Sequence, residues 1–320
     1  MTRYTVYRLL LLMPVLVGIS IVVFLLIHLI PGDVVDVLLG IQTSPKAAAA
    51  LRRVYGLDQP IHVQFASWAS SLIRGDLGLS LRSGQPVSYI LGSRLVVTAE
   101  LTGLGLLLAC LIGIPFGVTA AFRQNTTTDY VATSAALVGL SMPDFWTGTL
   151  LVLLLSIKAR WLPPTGYVPF STDPGTNLKL MIMPALTLAG GSASYIMRMT
   201  RSAVLEVLSQ DYIRTAYAKG LPTRRVLYLH AFRNALVPVM TVVGQQMAYL
   251  LGGVVVVESI FGVPGLGRTA LESIYYRDYP VVMGVVLFVA FAYVVINLLV
   301  DLLCALVDVR IREQIVSPQP

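Results

Sequence analysis

Residues Leu9 to Ile30 form an apolar run of 22, interrupted only by Pro14, Gly18, Ser20 and His28. A helix needs about 20 such residues to cross the hydrocarbon layer, where every backbone N–H and C=O must be bonded internally. Five further runs follow, at about 98–121, 132–157, 180–199, 235–257 and 281–307. The pattern predicts an all-α, multi-pass membrane protein with six spans. Only 12% of the residues are charged, about half the fraction of a soluble domain. The first run ends in "IPGD" rather than in a small-x-small cleavage site, so it reads as a retained helix and not as a signal peptide.

The run at 180–199 is the least apolar of the six. Its Gly190, Gly191, Ser192, Ala193 and Ser194 would let a neighbouring helix approach closely, which lipid contact does not require. Pro115, Pro143 and Pro238 are placed to kink their spans. Orientation follows from Lys and Arg at the span ends. With the N-terminus inside, the segments 1–8, 122–131, 198–234 and 308–320 hold 12 basic residues, and the much longer external ones hold 11. The density favours both termini on the cytoplasmic side. The +7 net charge then sits at helix ends, where anionic headgroups account for it without nucleic acid.

Two segments are too long for simple connections. The external one, 31–97, carries "AAAALRRVYGL" and "IHVQFASWASSLI". Both read as short surface helices, with Trp68 as an interfacial anchor. The cytoplasmic one, 198–234, contains "SQDYIRTAYAKGLP". The "SQD" offers a helix cap, the helix runs over 211–219, Gly220 ends it and Pro222 prevents continuation. Ile213, Ala216, Tyr217 and Gly220 form an apolar stripe, and Arg214, Lys219, Arg224 and Arg225 supply charge. Such a helix suits docking to a protein, or resting on lipid with its arginines on headgroups.

Chemical sites are sparse. "GVPGLGRT", 262–269, has the spacing of a nucleotide loop except that Arg268 stands where Lys belongs, and no strand precedes it. Its glycines read as tight turns. There is no HExxH, GxSxG or Cys/His cluster, and Cys110 and Cys304 read as small hydrophobes within spans. Of the ionisable groups near spans (His28, Glu100, Asp144 and Asp301), only Asp144 lies deep, and a kink at Pro143 would expose it to a polar cavity. Packing or a pore wall is the reading for each of them, ahead of a proton relay.

The motifs taken in order resemble a known family. They are "YRLLLLMPVLVGISIVVFLLIHLIPGD", "YGLDQPIHVQF", "GDLGLSL", "GLSMPDFW", "RMTRSAVLEVLSQDYIRTAYAKGL", "RNALVPV", "VESIFGVPGLGR" and "RDYPVV". Across essentially its whole length the chain is similar to the membrane-spanning permease subunits of binding-protein-dependent ABC importers, in the dipeptide/oligopeptide/nickel branch. The resemblance implies a single six-span permease domain over 1–320, of the type I importer kind, in the inner membrane. It implies no catalysis and no cofactor in this chain, with ATP and Mg bound by partner subunits. The implied partners are a second homologous permease, two ATP-binding subunits, an external solute-binding protein and a short peptide substrate, with nickel chelates or glutathione as alternatives. The coupling helix of an EAA-like loop would fall on Asp211, Tyr212, Ile213, Arg214, Thr215, Ala216, Ala218, Lys219 and Gly220. "RTA" at 214–216 replaces the usual Glu-Ala-Ala, and Gly220 is farther from Pro238 than in the general motif, both as in the peptide/nickel branch. Pro143 and Asp144 are candidates for the pathway. Arg268 and Arg277, with Arg74 and Arg82, are candidates for steering the binding protein.

Overall fold

The computed structural model describes residues 13–25, 53 and 58–307, with side chains as far as 303. All of its regular structure is helical among these residues. The elements are α1 (Met13–Leu25), α2 (Ile61–Ile73), α3 (Val87–Phe122), α4 (Thr127–Ser141), α5 (Asp144–Lys158), α6 (Pro174–Leu208), α7 (Asp211–Ala218), α8 (Thr223–Phe261), α9 (Leu266–Tyr275) and α10 (Tyr279–Val307). His28, the Cys304 side chain, the flanks of the first run and the expected helix at 47–57, save Arg53, lie outside the described residues.

Four helices (α3, α6, α8 and the 279–303 part of α10) are long and apolar enough to cross a membrane, and a fifth span forms if α4 and α5 are taken as one. Six were expected. Of the first run, the described residues form the 13-residue apolar helix α1. Several helices also exceed their runs. α3 begins at Val87, within the segment expected to be an external loop, and at 1.5 Å per residue its 36 residues extend about 54 Å.

The expected kink at Pro143 is a break, with α4 and α5 bent by 101°. The cause is local. Met142 precedes a proline, which disfavours helical backbone, and it is extended at ψ 121°. Its N–H still reaches the Val138 carbonyl at 3.1 Å, and the Pro143 carbonyl then accepts the N–H groups of Trp146 and Thr147 to start α5. Pro115 and Pro238, by contrast, lie inside continuous helices. α6 starts earlier than the run at 180–199 suggests: the Asp173 carboxylate accepts the N–H groups of Gly175 and Thr176, and Pro174 occupies the first turn. The Thr176 hydroxyl and these backbone donors hold Asp173 below its usual range. Gly262, at φ 65°, closes α8.

The described chain divides into two compact units. One holds 98–263 and 293–307, and the other holds 13–25, 53, 58–97 and 264–292. In the first, α6 is central: 61% of its apolar window is buried, against 33% for α3. The helix with the weakest span signal is therefore the middle of the bundle. Low hydropathy and small side chains suit a helix that faces protein rather than lipid. The close approach does not use Gly190 or Gly191, beside which a Cβ would meet nothing. It uses Gly113 and Gly117 of α3, where a Cβ would come within 2.6 Å of the Ala193 and Met197 carbonyls. Ala109, Ala189, Ala193, Ile196 and Val242 fill the space where α3, α6 and α8 meet.

In the second unit, Val87, Leu91, Leu266, Val281 and Val285 form the core. Phe24 of α1 packs against Phe65 and Trp68 of α2, with ring centroids 5.3 and 5.6 Å away. Ser80 donates to one Asp278 oxygen and the Leu81 N–H to the other. "GDLGLSL" and "RDYPVV", 198 residues apart at that bond, thus meet in one clasp.

Candidate functional site

α7 is a two-turn helix seated on its own chain. Ile213 is 1% exposed, and with Ala216 it packs on Val226 and Ala231, with Val207, Leu208 and Leu221 around them. Tyr212, Arg214, Thr215, Tyr217, Ala218 and Lys219 face outward. Of the expected stripe, then, Ile213 and Ala216 form the seat, while Tyr217 belongs to the free face. The predicted cap takes another form. Gln210 occupies the capping position without a side-chain bond, and the Ser209 hydroxyl turns back to the Glu206 carbonyl. Asp211 instead places its charge in the first turn, where the helix dipole favours it. Gly220 ends the helix at φ +74°, a left-handed conformation that costs other L-residues about 1 kcal/mol. Asn234 Nδ2 donates to the Tyr212 hydroxyl at 3.1 Å and to the His230 carbonyl at 2.6 Å, tying α7 to α8. Arg214 and Asp211, 3.5 Å apart and both well exposed, contribute little.

The same unit contains a pair that sequence reasoning missed. Arg201 of α6 meets Asp129 of α4 through two hydrogen bonds of 2.6 and 2.7 Å. Asp129 also accepts the Asn125 N–H at 3.0 Å and the Thr133 hydroxyl at 3.3 Å. No periodicity links residues 72 apart, so one sequence carries no signal for the contact.

The Pro143 break opens on a cavity of about 580 Å³. Pro143 and Asp144 line it from the break, Ser192 and Tyr195 from α6, and Gln246 and Tyr249 from α8. Asp144 is its single charged lining residue. Among the described residues its carboxylate has no hydrogen-bond or ion-pair partner. Of the other ionisable groups near spans, Glu100 accepts the Tyr167 hydroxyl at 2.9 Å.

The remaining candidates lie in the second unit. Arg268 Nε bonds Glu272 one turn along α9 at 2.8 Å, and Arg277 takes a left-handed backbone at φ 55°. The Arg82 guanidinium stacks 3.6 Å over the Tyr276 ring, and Arg74 ends α2. The glycine-rich 262–269 segment is the turn between α8 and α9, with Gly265 at the head of α9. Among the described residues no group of three His, Cys, Asp or Glu side chains could hold a metal ion.

Residues 113–313 match the family model for the binding-protein-dependent transport system inner membrane component, and residues 1–102 match the model for the N-terminal part of such membrane components. The chain belongs to this family. It is thus a multi-pass inner-membrane permease of a multi-subunit transport system, and hydrolysis of ATP is not its task. It is 42% identical to a dipeptide transport system permease protein of Alkalihalophilus pseudofirmus, over 98% of this chain and all of that one. It is 40% identical to a glutathione transport system permease protein of Salmonella choleraesuis, over 98% of this chain and 99% of that one. The fold resembles that of an inward-facing MetNI methionine ABC transporter chain at a TM-score of 0.58 and 16% identity, over 69% of this chain and 97% of that one.

Proposed function

We propose that this permease forms half of the membrane path of an ATP-driven importer of short peptides. It would pair with a second permease, two ATP-binding subunits and an external solute-binding protein. It would have six spans, the first built on α1, and both termini in the cytoplasm. α7 is the coupling helix, and its seating carries the reading. Ile213 and Ala216 fix it to the ends of α6 and α8, while its other face, with Tyr217 and Lys219, stays open. A rigid knob joined to two long helices can pass a push from an ATP-binding subunit to the path, which gives the two linked sites that such coupling requires. The contact itself belongs to Tyr212, Arg214, Thr215, Tyr217, Ala218 and Lys219, whereas Ile213 and Ala216 act through the seat.

The path is assigned to the cavity at Pro143 and Asp144. The outer segment 31–97 and the turn region 258–278 are assigned to the binding protein, with Arg268 and Arg277 at the rim. Similarity to permeases named for dipeptide and glutathione transport supports peptides as the cargo. Reconstitution of the full assembly in vesicles tests this. ATP-dependent accumulation of di- and oligopeptides is expected. Uptake of nickel chelates without peptides would overturn the cargo, and uptake by the chain without ATP would overturn the mechanism.

A further inference from the structure

We infer that Asp144 and Ser192 form a recognition point for a primary ammonium group within the path, so that a peptide is gripped in passing by its charged amino end. The inference rests on the importer reading above and gives that path a chemical selectivity.

Two independent features of the cavity carry it. The first is the lone carboxylate of Asp144, which opens α5 at the 101° break and lines the cavity without a partner among the described residues. An acid in a helix's first turn gains from the dipole wherever its side chain points, so the dipole does not explain why this one lines a cavity. The second is Ser192, 3% exposed, whose hydroxyl has no hydrogen-bond partner. Its neighbours on α6 behave differently: Thr187 donates to the Met183 carbonyl at 2.9 Å and Ser194 to the Gly190 carbonyl at 2.9 Å. Both close the turn that a helical hydroxyl ordinarily closes. Ser192 leaves it open and lines the same cavity as Asp144. A buried hydroxyl without a partner is costly, and an incoming donor or acceptor would satisfy it.

The ligand class follows from the donor set. One carboxylate, one free hydroxyl, the Gln246 amide and the Tyr195 and Tyr249 phenols line the cavity, with no Lys, Arg or His. The Asp144 carboxylate offsets the positive end of α5 and, with the hydroxyl and amide oxygens, accepts a cation with three N–H donors, which an ammonium is. Apolar surface from Leu188 and Leu250 beside these groups suits the side chain that follows.

The test uses the complete transporter in vesicles, fed dialanine by its own binding protein. The same binding protein serves every variant, so its selectivity cancels in the ratio to wild type. Asp144→Asn should lower dialanine moved per ATP hydrolysed about tenfold, the loss expected from one charge-assisted hydrogen bond. Asp144→Glu should restore most of it, and Ser192→Ala should fall between. Wild-type coupling in Asp144→Asn would overturn the inference. Equal losses in the Asn and Glu variants would also overturn it, by assigning Asp144 to the shape of the break. Absence of peptide uptake by the wild-type assembly would instead overturn the importer reading beneath it.

Discussion

Arg201 on α6 holds both carboxylate oxygens of Asp129 on α4, Nε to Oδ1 at 2.6 Å and Nη2 to Oδ2 at 2.7 Å. Asp129 is 3% exposed and Arg201 26%, so the pair is largely withdrawn from water. Removing one partner leaves the other charge uncompensated. Arg201→Ala is expected to cost about 3 kcal/mol, and Arg201→Lys less, because it keeps the charge but loses the two-pronged geometry. Thermal melting of the detergent-solubilised transporter measures both, and equal melting temperatures for wild type and Arg201→Ala would show that the pair contributes nothing.

Gly220 ends α7 with open space around it, since no atom lies within 4 Å of a Cβ built there. The cost of substitution is therefore that of the backbone alone, about 1 kcal/mol for valine and less for asparagine, which tolerates the left-handed region. Gly220→Val should insert normally yet lose substrate-stimulated ATP hydrolysis and uptake, and Gly220→Asn should lose less. Normal activity in the valine variant would show that the turn does not shape the coupling.

The two faces of α7 should separate experimentally. Ile213→Ala removes a fully buried side chain from the seat, a loss of about 2–5 kcal/mol that a melting curve of the permease reads. Tyr217→Ala leaves the seat intact, so its melting should match wild type while the ATP-binding subunits co-purify in lower yield. Full retention of those subunits would remove Tyr217 from the contact.

Tyr167 is pushed up to about 12, first by burial and then by its bond to the Glu100 carboxylate. A raised value favours the neutral phenol in the fold. Its contribution is complete below the ordinary value of 10 and fades as the pH rises from 10 towards 12. Alkaline titration by tyrosinate absorbance should find a late-ionising component that disappears in Tyr167→Phe. That variant should also melt lower, by on the order of 1 kcal/mol, because Glu100 loses a donor.

Arg268 and Arg277 test the proposed outer rim. Charges there act on encounter more than on the final complex. Reversing both to Glu should slow docking of the loaded binding protein at low salt and have a smaller effect at high salt. Arg268→Glu also sets a like charge one turn from Glu272, its present partner, so Arg268→Gln serves as the control. Unchanged docking rates in both salts would exclude the two residues from the contact.

Much was decided by sequence alone, because its causes are local. Runs of about 20 apolar residues can only cross a bilayer as helices. Pro143 marks a place where a helix can bend or break, although Pro184, also preceded by Met, lies inside continuous α6, and a Gly220-x-Pro222 stop bounds a helix by backbone geometry. The tertiary structure decided what depends on residues far apart in the chain. The weakest span, α6, became the centre because Gly113 and Gly117 of another helix fit against it. Ile213 turned inward while Tyr217 turned out, because Val226 and Ala231 offered a seat on one side only. The size of the Pro143 bend, the Asp129–Arg201 pair and the Ser80–Asp278 clasp likewise depend on three-dimensional proximity. Helical periodicity fixes which side chains share a face, but not what that face meets, and that is where the site was decided.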